Sequence, residues 1–364
     1  MIPLVTRVGR RTWLKSTAAL AGGVTECARG AAPQISSGAG QAAIIASASN
    51  AVVDTTAGRV RGYTRNGIFT FKGIPYAGPT GGSARFLPPT KPKPWTGMRS
   101  SMSYGPVCPQ APFAFFSADD ENAFLFELDN GQQNEDCLRV NIWTPGITNT
   151  RKRPVMVWIH GGSYLAGSGH HLNAYDGENL SRRGDVVVVS LNHRLNVLGY
   201  ANLAEYGEKY ASSANVGQLD LVEALEWIRD NIANFGGDAG NVTIFGQSGG
   251  GLKIGALMAM PAAKGLFHRA IIQSGSGPRG TGLREATPDS TGRLASALLS
   301  ELGLSRSQVD ELQNVPVSRL MEAQVRARAR AASQGSVPDR GPAWRPTVDG
   351  KILPNHPFDP VAPI

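Results

Sequence analysis

Asn241-Val242-Thr243-Ile244-Phe245-Gly246-Gln247-Ser248-Gly249-Gly250 is the stretch on which the fold turns. A β-branched apolar run, Val242 to Phe245, leads straight into Gly-x-Ser-x-Gly, and a Leu/Met/Ala-rich segment from Gly250 to Met260 leads out, stopped by Pro261. This reads as strand, sharp turn, helix. A serine on such a turn needs minimal side chains two residues to either side, because sheet and helix backbones crowd there. In a chain with 44 glycines the bare motif is weak, and the flanking strand and helix give it weight. The turn is expected to hold Ser248 Oγ above the sheet and to aim the Gly249 N–H at the same point.

On both sides of this stretch the pattern continues. Val140–Trp143, Val155–Ile159 and Val186–Val189 precede it, and Ala270–Gln273 follows, all short and rich in β-branched residues. Between the third run and Val242 lies a helical repeat, Leu221, Leu225, Ile228, Ile232 and Phe235, stopped by Gly236-Gly237. Asp220, Glu223, Glu226 and Asp230 read as its surface. Buried strands alternating with helices predict an α/β fold, a mostly parallel central sheet with helices on both faces. Before it, Gly58–Tyr63 and Ile68–Phe71, joined by Arg65-Asn66-Gly67, predict a small N-terminal antiparallel sheet. Pro75 to Tyr104 reads as irregular, and no internal repeat is visible.

A second chemical element is His160-Gly161-Gly162-Ser163, at the end of the Val155–Ile159 strand. Glycines let a backbone pass close to a ligand with its N–H groups exposed. Together with Gly249 such a loop can donate to an oxyanion, each donor typically worth roughly 10² to 10³ in rate.

These motifs resemble one family. FKGIPYA at 71–77, YGPVCPQ at 104–110, EDCLRVNIW at 135–143, HGGSYLAGS at 160–168, GNVTIFGQSGG at 240–250 and LFHRAIIQSGS at 266–276 are similar, in order, to the type B carboxylesterases. That α/β-hydrolase group includes cholinesterases and bacterial p-nitrobenzyl-type esterases. The resemblance implies that Ser248 is the acyl nucleophile, that Gly161, Gly162 and Gly249 form the oxyanion hole, and that Cys108 pairs with Cys137. Gln247 stands where many members carry Glu, and Gly249 where many carry Ala. Cholinesterases place a Trp between the two cysteines; here the aromatics in that loop are all Phe, Phe113 to Phe126, so choline esters are not the expected substrates.

Family members extend further, with the acid and His of the triad in their C-terminal part, in the order Ser, acid, His. The expectation is therefore a chain truncated at its C-terminus, lacking the last strands and with no catalytic acid or base identified. Among the histidines, His160 begins the Gly loop, His193 reads as structural, His268 as packing, and His170-His171 have no third ligand spaced to form a metal site. His356, in a Pro-rich loop, is the best substitute base, with no evident acid partner. Gly275-Ser276-Gly277-Pro278-Arg279-Gly280 mimics a dinucleotide fingerprint, but Pro278 removes a backbone donor from the phosphate cradle.

The chain has 364 residues, 41% of them apolar, and no apolar run of the roughly 20 residues that a membrane helix needs, so an integral membrane segment is not expected. Half of its net charge of +8 comes from Arg7, Arg10, Arg11, Lys15 and Arg29 against Glu26. The remainder is too dilute for nucleic-acid binding. Arg319, Arg326, Arg328 and Arg330 read as a solvated helix face. The basic start with paired Arg10-Arg11, the short apolar segment and the Ala/Gly/Ser-rich stretch read as a twin-arginine-type leader over residues 1–48, ahead of a domain at 51–364. Export through the twin-arginine machinery to the periplasm or beyond is then expected. In an oxidising compartment Cys108 and Cys137 read as a disulfide, with two buried free thiols the alternative.

The expected activity is hydrolysis of a small-molecule carboxylic ester through an acyl-enzyme, with no metal or organic cofactor. The competing readings are a non-catalytic interaction protein on the same fold and an inactive fragment.

Overall fold

A computed structural model describes residues 43–111, 131–148, 150–275, 285–335, 337 and 342–359. The chain divides into Met1–Ala42 and Ala43–Ile364; the first unit lies outside the described residues, and every element named here belongs to the second. The leader up to residue 42, the Phe-bearing stretch 112–130 and all but Gly275 of the Gly275–Gly280 motif also lie outside them.

Ten strands are described: β1 (Val52–Thr55), β2 (Gly58–Arg61), β3 (Tyr63–Arg65), β4 (Ile68–Pro75), β5 (Met98–Ser100), β6 (Arg139–Thr144), β7 (Arg153–Ile159), β8 (Val187–Leu191), β9 (Gly237–Gln247) and β10 (Arg269–Gln273). The α-helices are α1 (Glu178–Gly184), α2 (Asn196–Tyr200), α3 (Val216–Asn231), α4 (Gly249–Ala259), α5 (Pro288–Leu302) and α6 (Val317–Ser333). The small sheet is ordered β1-β2-β5 and the large one β10-β9-β7-β8-β6-β4-β3.

The expected α/β architecture is present, with a different balance of strand directions. Ladders β10–β9, β9–β7 and β7–β8 are parallel, whereas β8–β6, β6–β4 and β4–β3 are antiparallel, so the large sheet is evenly mixed. Helical crossovers explain the split. A parallel pair needs a connection of a dozen residues or more, usually a helix, and α1, α3 and α4 all lie after β7. The two-residue turn Asn66-Gly67 forces β3 and β4 antiparallel, and both residues take positive φ, 52° and 76°, as a type I′ hairpin requires. This hairpin forms the edge of the large sheet. The small sheet is instead β1 and β2, antiparallel, completed by a parallel β5 from the stretch read as irregular.

Side chains alternate across the sheet. Val140, Ile142, Val155, Val157, Val187 and Val189 pack in one core with Leu221, Leu225 and Ile228 of α3 and Ile254 and Leu257 of α4. Trp143 and Val188 point the other way, into a second cluster with Ile68 and Val186, where Trp143 meets the cap of α1 at Gly177. Helices thus cover both faces. Full burial of a Val, Leu or Ile side chain contributes roughly 1.5–3 kcal/mol. Helix α3 departs from its expected outline in one respect. Asp220 is not on its surface but fully buried, because the helix packs on the loop after β8 as well as on the sheet.

Asp220 there accepts from the Arg194 backbone N (2.9 Å), Nε (2.9 Å) and Nη2 (2.6 Å). The arginines of α6 are partly engaged as well: Arg326 and Arg330 lie within ion-pair distance of Glu301 of α5.

The expected disulfide is not formed in this structure. Cys108 and Cys137 are both buried and carry free thiols. They lie in contact: a hydrogen bond with Cys108, and burial, push the Cys137 thiol well above its ordinary pKa and keep it protonated.

Candidate active site

Strand β9 hands the chain to α4 through Ser248, which takes φ 53° and ψ −120°, a conformation L residues rarely adopt. Such a residue costs on the order of 1–3 kcal/mol and persists only where its surroundings over-determine it. Here the Ser248 N–H donates to the Gln273 carbonyl of β10 at 2.8 Å, and the Ser248 carbonyl accepts from Leu252 N at 3.1 Å. The side chain makes no capping bond to the helix it precedes. It is half-buried at the C-terminal edge of the sheet, where the strand and helix backbones meet so closely that a Cβ on Gly250 would overlap the Ile159 carbonyl.

The Gly loop lies directly against this turn. A Cβ built on Gly161 would sit 3.8 Å from Ser248 Cβ, and one on Gly249 would overlap the Ser163 backbone. Gly161, Gly162, Ser248 and Gly249, expected to act together, are thus neighbours. Carbonyl-side hydrogen bonds set the direction of each peptide plane, because the N–H of a trans peptide points opposite to its C=O. The Gly161 carbonyl is bonded by His160 Nδ1 at 2.8 Å, and the Gly162 carbonyl accepts from Leu165 N and Ala166 N, both at 3.2 Å. The N–H groups of Gly162 and Ser163 therefore face away from these anchors. Burial raises the Tyr175 phenol to about 12, with the Gly161 backbone opposing the rise. Ser163 supplies the amide nearest Gly249. Counting glycines alone misses Ser163; the signal for it is a third small residue in His-Gly-Gly-Ser.

The histidines are placed elsewhere. His160 and His193 are buried and stacked at 5.0 Å, each with Nδ1 on a backbone carbonyl, of Gly161 and Arg194 respectively. Burial, reinforced by nearby Lys253, holds both well below the ordinary histidine pKa, so they are neutral. His268 accepts from Val242 N, and His170 stacks on Tyr104 at 4.3 Å. His171 contacts the Ser168 carbonyl at 2.7 Å. His356 has an acid partner that the sequence did not reveal: Glu285 Oε2 lies 3.3 Å from its Nδ1, and the Glu285 side chain is 6% exposed. Seventy-one positions separate the two without a connecting motif. No group of three or more His, Cys, Asp or Glu able to hold a metal occurs among the described residues.

Comparison with known proteins bears on this arrangement. The sequence profile of the carboxylesterase family matches residues 49–363. The para-nitrobenzyl esterase of Bacillus subtilis is 40% identical over 311 residues, covering 85% of this chain and 59% of the relative. The phenmedipham hydrolase of Pseudarthrobacter oxydans is 36% identical over 310 residues, covering 85% of this chain and 58% of the relative. Among solved structures, the carboxylesterase of Geobacillus stearothermophilus superimposes with a TM-score of 0.71 at 40% identity, covering 85% of this chain and 58% of the other. An esterase of Clostridium hathewayi that hydrolyses aliphatic aromatic polyesters gives 0.78 at 43% identity, covering 89% and 61%. The chain thus spans about three-fifths of the length of these relatives, and it shares their α/β-hydrolase fold. With the family's profile matched over residues 49–363 and relatives 36–40% identical over 85% of its length, this chain belongs to the carboxylesterase family.

Proposed function

We propose that this protein is a carboxylic ester hydrolase in which Ser248 attacks the acyl carbonyl and forms an acyl-enzyme that water then cleaves. One observation supports the reading: a strained serine turn packed directly against the Gly161-Gly162-Ser163 loop, with the Ser163 backbone against Gly249. Donors fixed in advance stabilise the tetrahedral oxyanion without reorganising as charge develops. Deacylation and turnover need a base to take protons in succession; His160, His193, His268 and His356 each have Nδ1 on another partner, none of them Ser248. The 364-residue chain should therefore acylate slowly. With p-nitrophenyl acetate, wild-type protein should release p-nitrophenol faster than the Ser248→Ala variant; equal rates would remove Ser248 from the reaction.

The basic leader supports export by the twin-arginine route, and the adjoining thiols of Cys108 and Cys137 support their pairing as a disulfide in an oxidising compartment. Mass analysis of the protein alkylated without reductant and recovered from the periplasm or medium should show a shortened N-terminus and no modification at either cysteine. Full-length protein retained in the cytoplasm with both thiols alkylated would contradict both statements.

A further inference from the structure

We propose that Lys253 is a positioning residue for the Gly loop: its amine fastens the His160–Gly161 peptide to the helix that opens at Ser248. This role rests on the acyl-transfer reading of the site. Lys253 lies on α4, five positions after the serine, and is 0% exposed. Its Nζ donates to the His160 carbonyl at 3.0 Å. That carbonyl is the one hydrogen-bond acceptor of the amine among the described residues. His160 and His193 are neutral neighbours, and nothing negative is among the influences on the amine, which burial alone holds well below the ordinary lysine range. Burying such a group instead of an apolar one is costly unless its bond does something that packing cannot.

The bond has an evident task. Gly161 and Gly162 lack the Cβ that would narrow their backbone freedom, so the loop must be oriented from outside. The Gly161–Gly162 plane is held by His160 Nδ1 and the Gly162–Ser163 plane by Leu165 and Ala166 N–H. Lys253 holds the plane before these two, through its carbonyl end. The nucleophile and the loop that faces it are thereby tied to one helix. The sequence gives no hint of this, since one lysine in an apolar helical segment reads as a solvent-facing residue.

The test uses the full chain and two variants, Lys253→Met, which keeps the shape and removes the donor, and Lys253→Gln, which keeps a donor. Two readouts are taken: hydrogen exchange of the 160–163 segment, and the rate of Ser248 modification by a fluorophosphonate, separated into inactivator binding and maximal rate. Lys253→Met should exchange this segment at least about tenfold faster while melting no lower than wild type. Its maximal modification rate should fall about tenfold with binding unchanged, and Lys253→Gln should recover part of both effects. Unchanged exchange in a folded Lys253→Met protein would overturn the proposal, whether or not the wild type is modified. Absence of wild-type modification together with faster exchange in the variant would instead count against the acyl-transfer reading while leaving the clamp in place. Should Lys253→Met fail to fold, wild-type exchange in Lys253→Ser would equally refute it.

Discussion

Replacing Asp220 with Ala should destabilise the protein by about 3–5 kcal/mol, the usual cost of removing one partner from a buried ion pair. Small domains are held by only about 5–15 kcal/mol, so this is a large part of the total. The carboxylate is fully buried and takes three hydrogen bonds from Arg194. Without it, the guanidinium would keep only its bond to the Leu87 carbonyl, at 2.7 Å, in a site that excludes water. Removing both charges should cost less, since an apolar pair of similar volume no longer strands a buried ion. Urea denaturation of Asp220→Ala and of Arg194→Met/Asp220→Leu checks this. A loss below about 1 kcal/mol in the single variant, or a larger loss in the double one, would contradict it.

The second large effect is loss of stability in acid. His160 and His193 are buried, neutral and held well below their ordinary pKa. Below about pH 6.5 the unfolded chain therefore binds protons that the folded chain refuses. With more protons on the unfolded side, stability rises with pH, and it falls as pH drops from that value toward the depressed folded pKa values. Each unit of depression removes about 1.4 kcal/mol once both states are protonated. Buried His171, also lowered by burial, adds in the same direction. Lys253 has the same sign over a higher window, so Lys253→Met should flatten the rise in stability toward pH 10.5. Urea titrations at pH 8, 6.5 and 5 should give a falling midpoint with proton uptake on unfolding. A flat profile would mean that these bases are not buried neutral.

What could be read from the sequence was local. The turn at Ser248 and the loop at Gly161-Gly162 are written into consecutive residues, because glycine is needed where two backbones meet. The strands β6 to β10 and the helix α3 were legible from apolar runs and a helical repeat. What escaped involved pairing across long separations. Periodicity assigns a helix one apolar face, so Asp220 read as solvated although α3 is packed on more than one side. Glu285 and His356 meet only through the fold. β5 has three exposed residues and no apolar alternation, and its place is set by β2. The Asn66-Gly67 turn announced the β3–β4 hairpin but not its place in the large sheet, and the antiparallel ladders β4–β6 and β6–β8 were missed because strand direction follows from connections, and those before β7 carry no helical signal.

The proposed chemistry stands or falls on Ser248 being the group that becomes acylated. Wild-type protein and Ser248→Ala should each be exposed to a fluorophosphonate, digested, and mapped by mass spectrometry. A single adduct is expected on the peptide containing Gly246-Gln247-Ser248-Gly249-Gly250, and none in the variant. An adduct on another serine, or an unmodified Ser248 in folded protein after prolonged exposure, would rule that chemistry out.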